Sequence, residues 1–135
     1  VGALVLGHSL IDTGTAEWIA NGMLLWLQPY GKFAVLLGLY VLTVLLTSFV
    51  TNVAAVAVVF PIAAGITQVM GLDPVPVFMT IAFGASAAFL TPVAYQTNLM
   101  VYGPGGYRGW DFLKFGLPLT IIYSLICVAY FANML

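Results

Sequence analysis

The feature that most constrains this chain is an apolar stretch of 38 residues, from Phe33 to Met70, that contains no charged residue. As one straight α-helix it would be roughly 57 Å long at ~1.5 Å per residue, whereas the hydrocarbon core of a bilayer is ~30 Å thick. The stretch must therefore turn. Its dense polar cluster, from Thr47 to Asn52, lies near the middle, so we place the turn there, deep in the membrane.

Two arrangements satisfy this constraint. In the first, residues 33–70 form a re-entrant hairpin whose turn is buried in protein or lines an aqueous cavity, because non-helical backbone at membrane depth is tolerated only in those settings. In the second, two ordinary spanning helices are joined by a short polar loop. The apolar periodicity of the stretch does not choose between them.

Composition sets the class of protein. Apolar residues make up 63% of the 135 residues and charged residues only 5%, so a water-soluble surface could not be covered and the solvent must be lipid. The net charge is −1 and there is no basic run, so nucleic acid is not an expected partner. A single cysteine, Cys127, excludes an internal disulfide and a paired-cysteine metal site. We expect an all-α integral membrane protein.

The remaining segments complete this architecture. Residues 1–11 are predicted to be the end of a membrane helix, and residues 14–29, which mix tryptophans with polar side chains, an interfacial helix. Residues 75–104 are predicted to form a broken helix, interrupted at Pro92, and residues 111–135 the last membrane helix. The chain starts with Val1 inside an apolar segment and lacks a signal peptide, so we expect it to be a piece of a longer protein.

Both polar interruptions, 47–52 and 91–98, contain an asparagine and lie inside apolar segments. Two facing interruptions are typical of a midplane transport site, where half-helix N-termini attract anions and unwound carbonyls coordinate cations. The sequence has no His-Glu-x-x-His motif and no paired intramembrane aspartates, so we predict neither an enzyme nor an organic cofactor.

Three strings carry a resemblance to a known family. GASAAFLTPVAYQTNLMVYGPGGYRGWDFLKFGLPL closely resembles the C-terminal region of the divalent anion:sodium symporters, which transport sulfate or dicarboxylates. TSFVTNVAAVAVVFPIA resembles the hairpin-tip signature of that family. HSLIDTGTAEWIA is similar to the segment that leads into its interfacial arm helix.

The resemblance implies the C-terminal half of an inverted-repeat transporter, with an interfacial helix, a re-entrant hairpin, a broken helix and a final membrane helix. Its partners would be the N-terminal repeat of the same protein, a second copy in a homodimer that moves as an elevator, and the lipid of the plasma (inner) membrane. The implied activity is sodium-coupled transport of a divalent anion. Proton coupling, a passive anion channel and a non-transporting membrane scaffold stay open as alternatives.

The resemblance also implies a site. Sodium would be bound by Thr47, Asn52 and backbone carbonyls near Val50 and Ala94, and the anion by the polar groups of both interruptions. The predicted anion-binding residues are Thr51, Asn52, Tyr95, Gln96 and Thr97. Residues 95–98, Tyr-Gln-Thr-Asn, replace a Thr-Pro-Pro-Asn loop common in dicarboxylate transporters, which favours sulfate over dicarboxylates and other oxyanions. The family triplet at the hairpin tip ends here in Val53, which removes a polar contact.

Several polar residues of the two interruptions, and Pro92, also have a purely structural interpretation. Asn52 and Asn98 can act as helix-capping amides. Thr47 and Ser48 can bond back to a carbonyl of their own helix. Thr91 and Pro92 can simply shape the break.

Overall fold

The described part of the protein is entirely helical. The computed structural model describes residues 2–135, apart from the side chain of Ala3, and that part contains no strand. Seven α-helices and one short 3-10 turn, Gln28–Tyr30, follow one another along the chain. The helices are α1 Gly2–Asp12, α2 Thr15–Leu27, α3 Lys32–Thr47, α4 Asn52–Met70, α5 Pro74–Ser86, α6 Gln96–Tyr102 and α7 Gly109–Ala132.

Local sequence explains where the helices begin and end. Gly14 and Gly71 have φ of 69° and 62°, the left-handed conformation that only glycine adopts without strain, and they separate α1 from α2 and end α4. Asp73 caps α5, accepting a hydrogen bond from the Val75 N–H at 3.0 Å, and Pro74 occupies the first helical position. These three boundaries therefore follow from residues suited to them.

The uncharged stretch turns within its polar cluster. Helix α3 ends at Thr47 and α4 begins at Asn52, so four residues, 48–51, make the turn. Helix α3 has 16 residues, about 24 Å, and is shorter than the ~30 Å hydrocarbon core. By length and composition α4 and α7 are able to cross a membrane. The re-entrant arrangement of α3 and α4 stays a prediction.

The second interruption separates α5 from α6. Helix α5 ends at Ser86 and α6 begins at Gln96, and residues 87–95 between them are not helical. Pro92 lies inside this break. Proline has no backbone N–H, and in a non-helical segment this costs no helical hydrogen bond. The sequence predicts a broken helix here, and the described backbone is interrupted at that place.

The core lies where α3, α4 and α5 pack together. Helix α3 contacts α4, α5 and α7, and α4 also contacts α1 and α2. The fully buried side chains at this centre include Leu36, Leu39, Tyr40, Ile62 and Ile81. The turn and the break are therefore attached to the most tightly packed elements of the described chain, which fixes their relative positions.

Candidate functional site

The turn and the break meet at one cleft. Residues 49–53 of the turn and the start of α4 line one side of it, and residues 93–96 with Leu99 line the other. Its volume is about 540 Å³, and all of its lining residues are uncharged. Two segments that are about 40 residues apart in sequence thus form the walls of a single cavity, which we call the turn–break cleft.

The start of helix α4 supplies hydrogen-bond donors to this cleft. The first N–H groups of an α-helix have no carbonyl partner within the helix, and they carry the positive end of the helix dipole. Thr51 caps one of them, since its hydroxyl oxygen accepts the Ala54 N–H at 3.3 Å. Because Thr51, Asn52 and Val53 line the cleft, this end of a 19-residue helix faces the cleft.

A buried group of oxygen atoms lies beside the cleft. The Thr47 side chain is fully buried, and its Oγ1 is 2.8 Å from Asn52 Oδ1 and 2.9 Å from the Ala85 carbonyl oxygen. A hydroxyl has one hydrogen to donate, so three oxygens converge around a single proton. Neutral hydroxyl, amide and carbonyl oxygens are ligands that hard cations prefer. The arrangement therefore fits a sodium ion without a buried counter-charge.

Hydrogen bonds hold the break in shape. The Asn98 amide nitrogen donates to the Ala88 carbonyl at 2.9 Å and to the Thr91 carbonyl at 3.2 Å. Thr91 Oγ1 donates to the Ser48 carbonyl at 2.6 Å and accepts the Ala94 N–H at 3.1 Å. These bonds satisfy backbone groups that the break removes from a helix, as buried polar groups require.

The predicted residues divide into three groups. Val50, Thr51, Asn52, Ala94, Tyr95 and Gln96 line the turn–break cleft. Thr47 lies behind it and contacts the cleft through Asn52. Thr97 is exposed and is not among the cleft-lining residues, because Gln96 is the first residue of α6 and the next position on a helix points in another direction.

The structural interpretations can be compared with the bonds observed. Ser48 bonds back to the Val44 carbonyl of its own helix at 2.7 Å, whereas Thr47 bonds to Asn52 and Ala85 instead. Asn98 binds two carbonyls of the break, which is a structural role. The backbone of Ala85 was missed by the sequence analysis. The position of Ala85 near the end of α5 could have indicated it, because the last carbonyls of a helix lack partners within that helix.

Comparison with known proteins identifies the family. The sequence model of the citrate transporter family matches residues 1–135. The chain belongs to this family. The predicted resemblance to the divalent anion:sodium symporters is confirmed, since similar proteins include two that are named sodium/sulfate cotransporters.

Several curated proteins resemble this member of the citrate transporter family. An uncharacterised transporter of Synechocystis is 41% identical over 92% of this chain and 20% of that protein. Sodium/sulfate cotransporter 2 of Chlamydomonas reinhardtii is 37% identical over 92% of this chain and 14% of that protein. Solute carrier family 13 member 2 of the rabbit, Oryctolagus cuniculus, is 30% identical over 93% of this chain and 21% of that protein.

These relatives indicate the class of protein and how much of a full-length relative this chain covers. They are transporters, not enzymes, so the chain belongs to a family of membrane transport proteins. The chain spans about a fifth or less of the length of each of these three relatives.

Proposed function

We propose that the full-length protein is a secondary transporter that carries a small divalent anion, with sulfate as the leading substrate, in symport with sodium. The observation that carries the proposal is the meeting of the turn and the break at one uncharged cleft. Asn52 lines this cleft and also accepts the hydroxyl of Thr47, so the cleft and the buried oxygens share a residue.

The turn–break cleft suits an anion that has to be released again. Thr51, Tyr95 and Gln96 offer hydroxyl and amide groups, and the start of α4 offers N–H groups. Helix N-termini bind phosphate- and sulfate-like anions through such groups and a partial positive charge of roughly half a unit. A fixed lysine or arginine would retain a dianion more strongly, so neutral donors favour turnover.

The buried oxygens suit the coupling ion. Thr47 and Asn52 supply the side-chain ligands, and the carbonyl of Ala85 lies within hydrogen-bond distance of Thr47. The carbonyls of Val50 and Ala94, which line the neighbouring cleft, complete the proposed set. A sodium ion here places a positive charge beside the anion, and bound cations are often the largest local charges in a site.

Coupling follows because Asn52 belongs to both sites. When sodium orders the Asn52 side chain and adds positive charge, the anion binds more tightly. Linkage requires that the anion raise the affinity for sodium by the same factor, typically about 5–150-fold. Symport therefore needs no charged residue in the cleft.

Sulfate is preferred over the second candidate, a citrate-like carboxylate. The loop Tyr95-Gln96-Thr97-Asn98 differs from the Thr-Pro-Pro-Asn loop of dicarboxylate transporters, and two similar proteins are named sodium/sulfate cotransporters. The carboxylate candidate is favoured by the description of the matching family as citrate transporters.

The architecture proposed for the full-length protein follows the same resemblance. Residues 33–70 form a re-entrant hairpin, residues 75–104 a broken helix and residues 111–135 the last membrane helix of a C-terminal repeat. Residues 14–29 lie in the membrane interface, which is supported by the one-sided burial of α2. Trp18 and Trp26 are 78% and 82% exposed, whereas Ala16, Ala20 and Leu24 are buried. The protein acts as a homodimer in the plasma membrane.

The test is uptake of radiolabelled sulfate into proteoliposomes that contain the full-length protein, with and without an inward sodium gradient. We expect saturable uptake that requires sodium and is inhibited more strongly by unlabelled sulfate than by citrate or succinate. Saturable uptake of labelled citrate alone would favour the second candidate. Uptake that neither saturates nor responds to the gradient would contradict symport and indicate a channel.

A further inference from the structure

Thr91 connects the two loops that form the turn–break cleft. Its hydroxyl donates to the carbonyl oxygen of Ser48 at 2.6 Å, across 43 positions of sequence. Thr91 Oγ1 also accepts a hydrogen bond from the N–H of Ala94 at 3.1 Å. One half-buried side chain therefore bonds to the backbone of the turn and to the backbone of the break.

The two bonded backbone groups belong to or adjoin the cleft walls. Ser48, the first residue of the turn, immediately precedes the lining residues 49–53, and Ala94 is itself a lining residue. Thr91 is not itself a cleft-lining residue. It thus acts on the cleft through the backbone of both walls and does not contact a bound anion.

The position of Thr91 is fixed from a second side. The Asn98 amide, on α6, donates to the Thr91 carbonyl at 3.2 Å and to the Ala88 carbonyl at 2.9 Å. A threonine that only shaped the break would need the bond to Ala94, which closes a local turn. The bond to Ser48 adds nothing to that local turn, and its consequence is to join the break to the hairpin.

We propose that Thr91 is a positioning residue that fixes the distance between the two walls of the anion cleft, so that both walls contact the same anion. The inference rests on the proposed function for its transport readout. The hydrogen bond between Thr91 and Ser48 is a property of the folded chain, and the effect of removing it is measurable without transport.

The test compares Thr91→Val with Thr91→Ser in the full-length protein. Valine keeps the branched shape but loses both hydrogen bonds, whereas serine keeps the hydroxyl. We expect Thr91→Val to raise the KM for sulfate about tenfold or more, because the two walls separate when the half-buried hydrogen bond between them is lost. Thr91→Ser is expected to stay within about threefold of the wild type.

Hydrogen–deuterium exchange supplies the second measurement. In Thr91→Val the amides of residues 49–53, which are distant in sequence from the substitution, are expected to exchange about tenfold faster. The matched control is Thr80→Val, because Thr80 is fully buried and its hydroxyl bonds at 2.8 Å to Pro76 of its own helix. The control should leave both the KM and the exchange of residues 49–53 unchanged.

The outcomes separate the two proposals. Faster exchange at residues 49–53 together with a raised KM supports the positioning role. Faster exchange confined to residues 91–95, or a lower unfolding temperature with an unchanged KM, would overturn it and leave Thr91 a local structural residue. If the wild type moves no anion, the proposed function fails, and the exchange at residues 49–53 still decides whether Thr91 joins the two loops.

Discussion

At the scale of single residues, the central feature is the hydroxyl group of Thr47. It lies between two oxygen atoms, Asn52 Oδ1 at 2.8 Å and the Ala85 carbonyl at 2.9 Å, and has one hydrogen for both. A cation among these oxygens would be bound by their lone pairs, while the Thr47 hydroxyl keeps its proton and rotates it away from the cation. The hydroxyl of Thr43, one turn earlier on α3, bonds instead to the Leu39 carbonyl of its own helix at 2.6 Å.

These two threonines give a matched test of the proposed sodium site. Both are fully buried on the same helix. We expect Thr47→Val to raise the half-saturating sodium concentration for uptake by about tenfold or more, because one ligand is removed and two acceptors lose their donor. Thr43→Val should leave sodium dependence unchanged. Equal sodium dependence in the two variants would show that the Thr47 oxygen is not a ligand.

Residue types indicated part of this group of oxygen atoms before the structure was known. Thr47 and Asn52 were identifiable because polar side chains in an uncharged stretch are expensive unless they have partners. Ala85 was not, because its contribution is a backbone carbonyl and alanine carries no sign of it. Thr97 has a suitable side chain and a suitable position in sequence, but the start of α6 at Gln96 directs it away from the cleft.

At the scale of helices, the break depends on close contact with α7. A Cβ atom added to Gly116 would overlap the carbonyl group of Phe89, so only glycine allows the break to lie this close to the helix. Gly109, at the start of the same helix, has no atom near the position of a Cβ. The two glycines therefore differ in packing and not in the element they belong to.

We expect Gly116→Ala to destabilise the protein by about 1–3 kcal/mol, the usual cost of inserting a methyl group into a packed site. Uptake should fall as well, because the carbonyl of Phe89 belongs to the break. Gly109→Ala should be neutral or stabilising by up to about 1 kcal/mol, since alanine is the better helix former. Thermal unfolding of both variants in detergent measures the difference. An unfolding temperature for Gly116→Ala equal to that of Gly109→Ala would contradict the close contact.

The helices themselves were largely predictable. Polar clusters in apolar stretches marked both interruptions, and glycine, proline and aspartate marked the boundaries of α2, α4 and α5. The sequence predicted an interruption at Pro92, whereas α5 already ends at Ser86. Residues 87–89 are apolar like the helix before them, and the Asn98 amide donates to the Ala88 carbonyl, a bond that composition does not indicate.

At the scale of the whole molecule, the distribution of apolar surface matches lipid as the solvent. Helix α7 buries one side against α3 and α5 and exposes large apolar side chains such as Phe115, Ile122 and Ile126 on the other. Membership of the citrate transporter family and two helices long enough to cross a membrane agree with this arrangement. The N-terminal repeat and the homodimer stay predictions.

The measurement that tests the account most directly is sodium-driven sulfate uptake by Asn52→Ala, with Asn21→Ala as the matched control. Asn52 lines the cleft and accepts the Thr47 hydroxyl, whereas Asn21 is exposed on α2. We predict that Asn52→Ala reduces sodium-dependent sulfate uptake by more than about tenfold. In this variant sodium should no longer raise the affinity for sulfate. Asn21→Ala should match the wild type. Retention of sodium-dependent uptake by Asn52→Ala would contradict a shared anion and cation site at the hairpin tip.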